Sequence, residues 1–350
     1  MYIIDLQHAA GCVSGGKPAT QRMLSVEIKE WESVFPMKKI LAILMAMMIL
    51  ATCGVALADA PKVGITIYQF ADNFMTLYRE ELVRYLTEDC GIPAENITVL
   101  DGKNDQVEQT NQIDGFIADN VDVMILNLVQ SSSAASVIQK ADAAGIPVVF
   151  INREPSAEDM ALNGNFCYVG ADARQSGTMQ GNIVLNTESK GDLNGNGQVD
   201  YVMIMGDPEN VDAQYRTEFS IKALTDAGMK VNKLFEQRGD WDQTKGQELA
   251  ATALTQFGND IDVIFCNNDG MALGAYQAIL QAGRVVGEDI MLLGVDALAE
   301  CVEMVNNGQM TGTVLNDHIG QSHAAADAAV KAAAGEKLEK YYWVDYVMVK

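Results

Sequence analysis

Asparagine and aspartate recur in this sequence directly after short apolar runs. Val121–Leu126 leads into Asn127, Val263–Cys266 into Asn267-Asn268-Asp269, Met291–Val295 into Asp296, and Gly312–Leu315 into Asn316-Asp317. Any one of them could cap a following helix, and capping is the role expected of Asp269 and Asp317. Gathered in one place, they would make a site rich in planar donors and acceptors. A carboxylate accepts hydrogen bonds and an amide both accepts and donates.

A second pattern has metal-ligand spacing. Asp192-Leu193-Asn194-Gly195-Asn196-Gly197-Gln198-Val199-Asp200 follows the D-x-[DN]-x-[DN]-G order of an EF-hand loop, with oxygens at alternate positions and a glycine at the sharp turn. An Asn-Gly turn between a helix and a strand would read the same way, and spacing alone leaves the two even. The twelfth position, Met203, supplies no closing acid.

Catalytic patterns are sparse. Beyond residue 58 the chain carries His318 and His323 and no visible nucleophile–base pairing, and no G-x-G-x-x-G follows a strand. The formal net charge of −23 argues against nucleic acid as a partner, since phosphate binding needs a basic surface. A small neutral solute is not repelled by such a field.

The elements that must position these residues alternate. Apolar runs at Val63–Tyr68, Val121–Leu128, Pro147–Asn152, Tyr201–Met205, Val263–Asn267 and Met291–Val295 read as strands of a parallel sheet covered on both faces. Between them, Phe74–Thr87, Ser132–Ala144, Gln214–Ala227, Gln243–Phe257 and Ala272–Ala282 read as amphipathic helices. The alternation predicts an α/β protein of two doubly wound parallel-sheet lobes, because the units are too many for one compact sheet. No low-complexity linker separates the lobes, so a multi-strand hinge is expected. In such sheets ligands lie at the carboxyl ends of the strands, where the Asn and Asp residues stand. The expected boundaries are 61–147 plus 317–340 for the N-terminal lobe and 148–316 plus 341–350 for the C-terminal lobe.

Ahead of the lobes, Met37-Lys38-Lys39, the apolar run Ile40–Leu50 and the small residues up to Ala56-Leu57-Ala58 form a secretory leader, 37–58. Residues 1–36 carry no usable pattern and are read as an upstream extension. Leu50-Ala51-Thr52-Cys53 offers lipidation of Cys53 as a lesser alternative to cleavage. A permanent anchor is the other alternative, because no charge interrupts 40–58. Cys90, Cys167, Cys266 and Cys301 remain beyond the leader and read as small core residues, with a disulfide left open.

From about Lys62 onward the chain resembles the bacterial periplasmic galactose/glucose-binding proteins of sugar ABC transport. The likeness rests on Gly64–Tyr68 with Asp72-Asn73-Phe74-Met75, Asn127-Leu128-Val129, Pro147–Phe150 with Glu154-Pro155, Tyr168-Val169-Gly170 and Asp192-Leu193-Asn194. It continues through Asn267-Asn268-Asp269, Gly294–Leu298 and Gly312–Asp317. The resemblance implies the two-lobed periplasmic binding protein type I fold. It implies sugar contacts from Asp72 and Asn127 in the first lobe, Asp212, Arg216, Asn268 and Asp296 in the second, and Asn316 at the crossover. Phe74 and Trp241 would flank the pyranose ring as aromatic plates. Without it, Asp212 and Arg216 would read as a helix-surface ion pair, Phe74 as core and Trp241 as a packed loop aromatic. Asn210 stands where the family carries histidine, which changes reach and shape at one sugar hydroxyl. For the loop it implies a structural calcium held by Asp192, Asn194, Asn196, the Gln198 carbonyl, Asp200 and a distant acid, here Asp262 in place of the family's Glu.

The resulting expectation is an exported, monomeric, non-enzymatic binding protein for a monosaccharide, galactose or glucose. A membrane ABC permease and a chemoreceptor are its expected partners. The alternatives are another monosaccharide such as a pentose, a sugar-sensing regulator, and a glycosidase. The regulator would need an N-terminal helix-turn-helix, where a leader stands.

Overall fold

A computed structural model describes residues 60–350. The expected leader, Cys53 and the upstream extension lie outside the described residues.

The first sheet has six parallel strands in the order β11-β5-β4-β3-β1-β2. They are β1 (Val63–Ile67), β2 (Ile97–Asp101), β3 (Val123–Leu126), β4 (Val148–Ile151), β5 (Phe166–Gly170) and β11 (Tyr341–Trp343). The second has four, in the order β7-β6-β8-β9: β6 (Val199–Met205), β7 (Val231–Arg238), β8 (Val263–Cys266) and β9 (Met291–Leu293). An antiparallel pair, β10 (Thr313–Leu315) with β12 (Val347–Val349), joins the edge of β9 through the bridge Leu293–Gly312. Helices cover both sheets: α1 (Asn73–Glu88), α2 (Gln106–Ala118), α3 (Ala134–Ala144), a short α4 (Ala157–Met160), α5 (Ala173–Leu185), α6 (Val211–Asp226), α7 (Gln243–Phe257), α8 (Asp269–Gln281), α9 (Ala299–Asn306) and α10 (His318–Ala333).

The continuous apolar runs become central strands because only a strand covered on both faces can bury every side chain. β1, β3, β4 and β8 are buried at every position. Val63, Ile65 and Ile67 pack on one side of the first sheet against α1 and α10, and Met124, Leu126, Val148 and Phe150 pack on the other. The second sheet repeats the plan, with Val202, Ile204, Ile264 and Cys266 on one face and Met203, Val263 and Phe265 on the other. Cys167, Cys266 and Cys301 are buried free thiols, as expected of small core residues, and Cys90 is a half-buried one.

The lobe boundaries differ from those expected. β4, β5 and β11 all belong to the first sheet, so 148–170 and 341–343 lie in the N-terminal lobe rather than the C-terminal one. The chain changes sheet after β5, after β10 and after β11. The run Val148-Val149-Phe150-Ile151 is apolar on both faces and would suit either sheet; its ladders with β3 and β5 decide the matter.

Candidate ligand-binding site

Several strands of both sheets end in polar or aromatic groups that gather in one cavity. The cavity is lined by Tyr68, Asp72, Phe74 and Met75 beyond β1 and by Asn152 and Arg153 beyond β4. Across from them stand Asn210 at the start of α6 and Asp212 and Arg216 on it, with Trp241, Asn268, Asp296 and Asn316 beyond β7, β8, β9 and β10. This is the strand-end location that parallel sheets favour for ligands.

Helix starts fix several of these groups. Asp72 caps α1, Oδ1 accepting from Met75 N at 2.7 Å while Oδ2 accepts from the Tyr68 hydroxyl at 2.6 Å. Asn210 caps α6 through Asp212 N. Asn268 caps α8 through Met271 N at 2.9 Å, which corrects the expectation that Asp269 does so. The Asp269 carboxylate instead accepts from Leu298 N and the Thr313 hydroxyl, tying the ends of three strands together. Asp317 caps α10 as expected.

Asp212 and Arg216 are not a surface pair. Both are buried, at 4% and 3% exposed, and they meet at 3.5 Å. Arg216 also donates to the Asn267 carbonyl at 2.9 Å and to the Tyr346 hydroxyl at 3.0 Å, while its Nε has no partner. Burial pushes the Asp212 carboxyl up to about 6 against the pull of Arg216 and Arg153, and raises that of Asp296 as well. Asp296 has φ 118°, a conformation that non-glycine residues rarely adopt, and it accepts from Asn316 Nδ2 at 3.2 Å. Such strain collects where a side chain must be aimed. Trp241 lies against Gly206, where a Cβ would come within 2.2 Å of the indole; no other residue leaves room for the ring. Phe74 is 5% exposed and packs edge-on against Tyr78, so it combines the core and the cavity readings.

Asn127 departs from expectation. It has no exposed surface and does not line the cavity. Its Oδ1 accepts from Tyr68 N, and its Nδ2 donates to the Ile151 carbonyl and to Asn152 Oδ1. It supports two lining residues instead of reaching a ligand. Tyr68, Met75, Asn152 and Arg153 were missing from the expected set. The strand-end rule would have found Tyr68 and Asn152, which close the runs Val63–Tyr68 and Pro147–Asn152.

The loop 192–200 bends through side-chain caps: Asp192 accepts from Asn196 N and Gly197 N, Asn194 from Asn196 N, and Asn196 from Gln198 N. The side-chain amides of Asn194, Asn196, Gln198 and Asn232 all converge on Asp200, at 3.4, 2.6, 3.0 and 2.6 Å. Among the described residues no three His, Cys, Asp or Glu side chains gather as a metal set. A cation here would draw on amide and backbone oxygens, which suits a hard, oxygen-seeking ion, and the amides need only turn over to present oxygen. Asp262 fits closure poorly. Both its oxygens are engaged by backbone N–H groups, Oδ1 by Leu193 and Asn194 and Oδ2 by Asp200.

A cleft lined from two parallel-sheet lobes has clear relatives. The model of a family described as periplasmic binding protein domain matches residues 63–337. This chain belongs to that family. It is 34% identical to the D-galactose/methyl-galactoside binding periplasmic protein MglB of Haemophilus influenzae, over 82% of this chain and 86% of that protein. It is 26% identical to the ribose import binding protein RbsB of Escherichia coli K12, over 73% of this chain and 80% of that one. Among solved structures, an ABC transporter solute-binding protein of Bacillus halodurans with bound myo-inositol superposes with a TM-score of 0.71 at 26% identity, covering 84% of this chain and 96% of that one. Family membership makes the chain a binding protein rather than an enzyme. Among the described residues no helix is long and apolar enough to cross a membrane.

Proposed function

We propose that this chain is an extracytoplasmic solute-binding protein that captures a hexose, galactose or glucose, and hands it to an ABC permease. The observation that carries the reading is the lining of the cavity between the sheets. Carboxylates at Asp72, Asp212 and Asp296, amides at Asn152, Asn210, Asn268 and Asn316 and the Arg216 guanidinium stand beside the rings of Trp241 and Phe74. Alternating acceptors and donors satisfy hydroxyls that would otherwise be buried unpaired, and the C–H face of a pyranose suits a flat aromatic surface. The likeness to MglB supports galactose.

A second reading keeps the site and changes the solute. Asn210 replaces the family's histidine, and relatives named for ribose and crystallised with myo-inositol share the fold. A pentose or cyclitol would then be the cargo. Titration calorimetry with D-galactose, D-glucose, D-ribose and myo-inositol separates the two. Tight binding of galactose or glucose supports the first reading, and preference for ribose or myo-inositol replaces it with the second. Binding of none of the four rejects both.

Calcium in loop 192–200, cleavage of the leader at 58 or 60, a monomeric state and docking on a chemoreceptor belong to the same proposal. The loop's side-chain caps support the first of these.

A further inference from the structure

Arg153 follows β4 and is held by the first sheet. Its guanidinium lies 3.9 Å over the Tyr68 ring and donates to the Val129 carbonyl. From there Nη1 reaches Asp207, which follows β6 of the second sheet, at 3.4 Å. Asp207 is fixed in turn by Glu209 N at 3.1 Å and by Arg238 at 3.3 Å, yet it does not line the cavity. Arg153 is 2% and Asp207 8% exposed. An ion pair between residues carried on different sheets therefore sits buried beside the cavity, with no other protein group between them.

We infer that Arg153 and Asp207 form a closing latch, a pair that acts on ligand retention by holding the lobes together. The inference rests on the proposed binding function. Each partner is oriented by its own lobe, so joining them orders few additional side-chain rotamers. Separation of the lobes breaks the pair and returns both charges to water, so it contributes only to the closed state. Asp207 is then a positioning residue: it touches no solute and acts through Arg153. Interactions present only in the closed complex appear in the dissociation rate rather than the association rate.

The test is stopped-flow measurement of association and dissociation for D-galactose, or for the tightest binder of the four solutes titrated above. Asp207→Asn keeps the shape and removes the charge. It should speed dissociation about fivefold or more, as loss of a charge-assisted contact implies, and leave association within about twofold. Asp207→Glu should restore slow release, which a merely structural role would not require. The melting temperature of each ligand-free variant checks that it is folded. Release at the parental rate from both Asp207→Asn and Asp207→Ala would overturn the latch. So would an altered preference among the four solutes, because Asp207 would then act on ligand choice through Arg153 rather than on closure. If the parent binds none of the four solutes, the functional reading fails, and the latch falls with it; parental binding with unchanged release rejects the latch alone.

Discussion

Asn127 donates its side-chain amide to Oδ1 of Asn152 at 3.0 Å, so a residue with no exposed surface orients one that lines the cavity. The same side chain accepts from Tyr68 N. Asn127→Ala should therefore lower stability by about 1–3 kcal/mol through the buried N–H and carbonyl left unpaired. It should also weaken solute binding, whereas Asn152→Ala should weaken binding with little loss of stability. Thermal melting and calorimetry on the two variants check this. Parental affinity in Asn127→Ala would break the link.

Asp72 and Arg216 face the cavity from opposite lobes, and each meets hydroxyls away from water in the proposed complex. Asp72→Ala and Arg216→Ala should each bind at least about tenfold more weakly, because a charged hydrogen bond contributes roughly 1.5–3 kcal/mol. Trp241→Ala should also weaken binding, by removing the plate that rests on Gly206. Calorimetric affinities equal to the parent's would show the site assignment to be wrong.

Binding should depend on pH through Asp212. Burial lifts its carboxyl to about 6 in the ligand-free protein. Hydroxyls that donate to the carboxylate favour its ionised form, so the bound state has the lower pKa and binding releases a proton. Affinity is then fullest above pH 6 and declines as pH falls through that value. Calorimetry across this range in buffers of different ionisation heat should detect the released proton, and Asp212→Asn should flatten the profile. An affinity that rises on acidification would contradict the assignment.

Calcium should raise the melting temperature through mass action on the folded state. Asp192→Ala should abolish that rise. Asn232→Ala should reduce it, since Asn232 faces Asp200 beside the loop. A chelator that leaves the parent's melting temperature unchanged would reduce the loop to a turn.

Much of the fold is legible in the sequence. The strands β1, β3, β4, β6, β8 and β9 stood out because their runs are apolar on every face, and α7 began and ended where its periodicity did. Strand ends then located most of the cavity. Sheet membership was not legible, because Val148–Ile151 carries no mark of which neighbours it pairs with. Where Asn268 and Asp269 stand side by side, either could cap α8, and only the position of Leu298 and Thr313 shows why the aspartate does not. Arg153 is not legible as a site residue because an arginine after a strand reads as a solvated charge; its burial depends on Tyr68 and Val129, distant in sequence.

The last crossing between the sheets has a consequence for the order of folding. β11 completes the first sheet and β12 completes the second sheet's edge, and both follow every other strand in chain order. Neither half is a contiguous stretch of chain. A polypeptide emerging from the ribosome cannot finish either one until β11 and β12 have followed all the other strands, however early its central strands collapse. The same interleaving links maturation of the halves: loss of the C-terminal tail would leave an unpaired strand edge on each, Gly170 exposed on one side and Thr313 on the other.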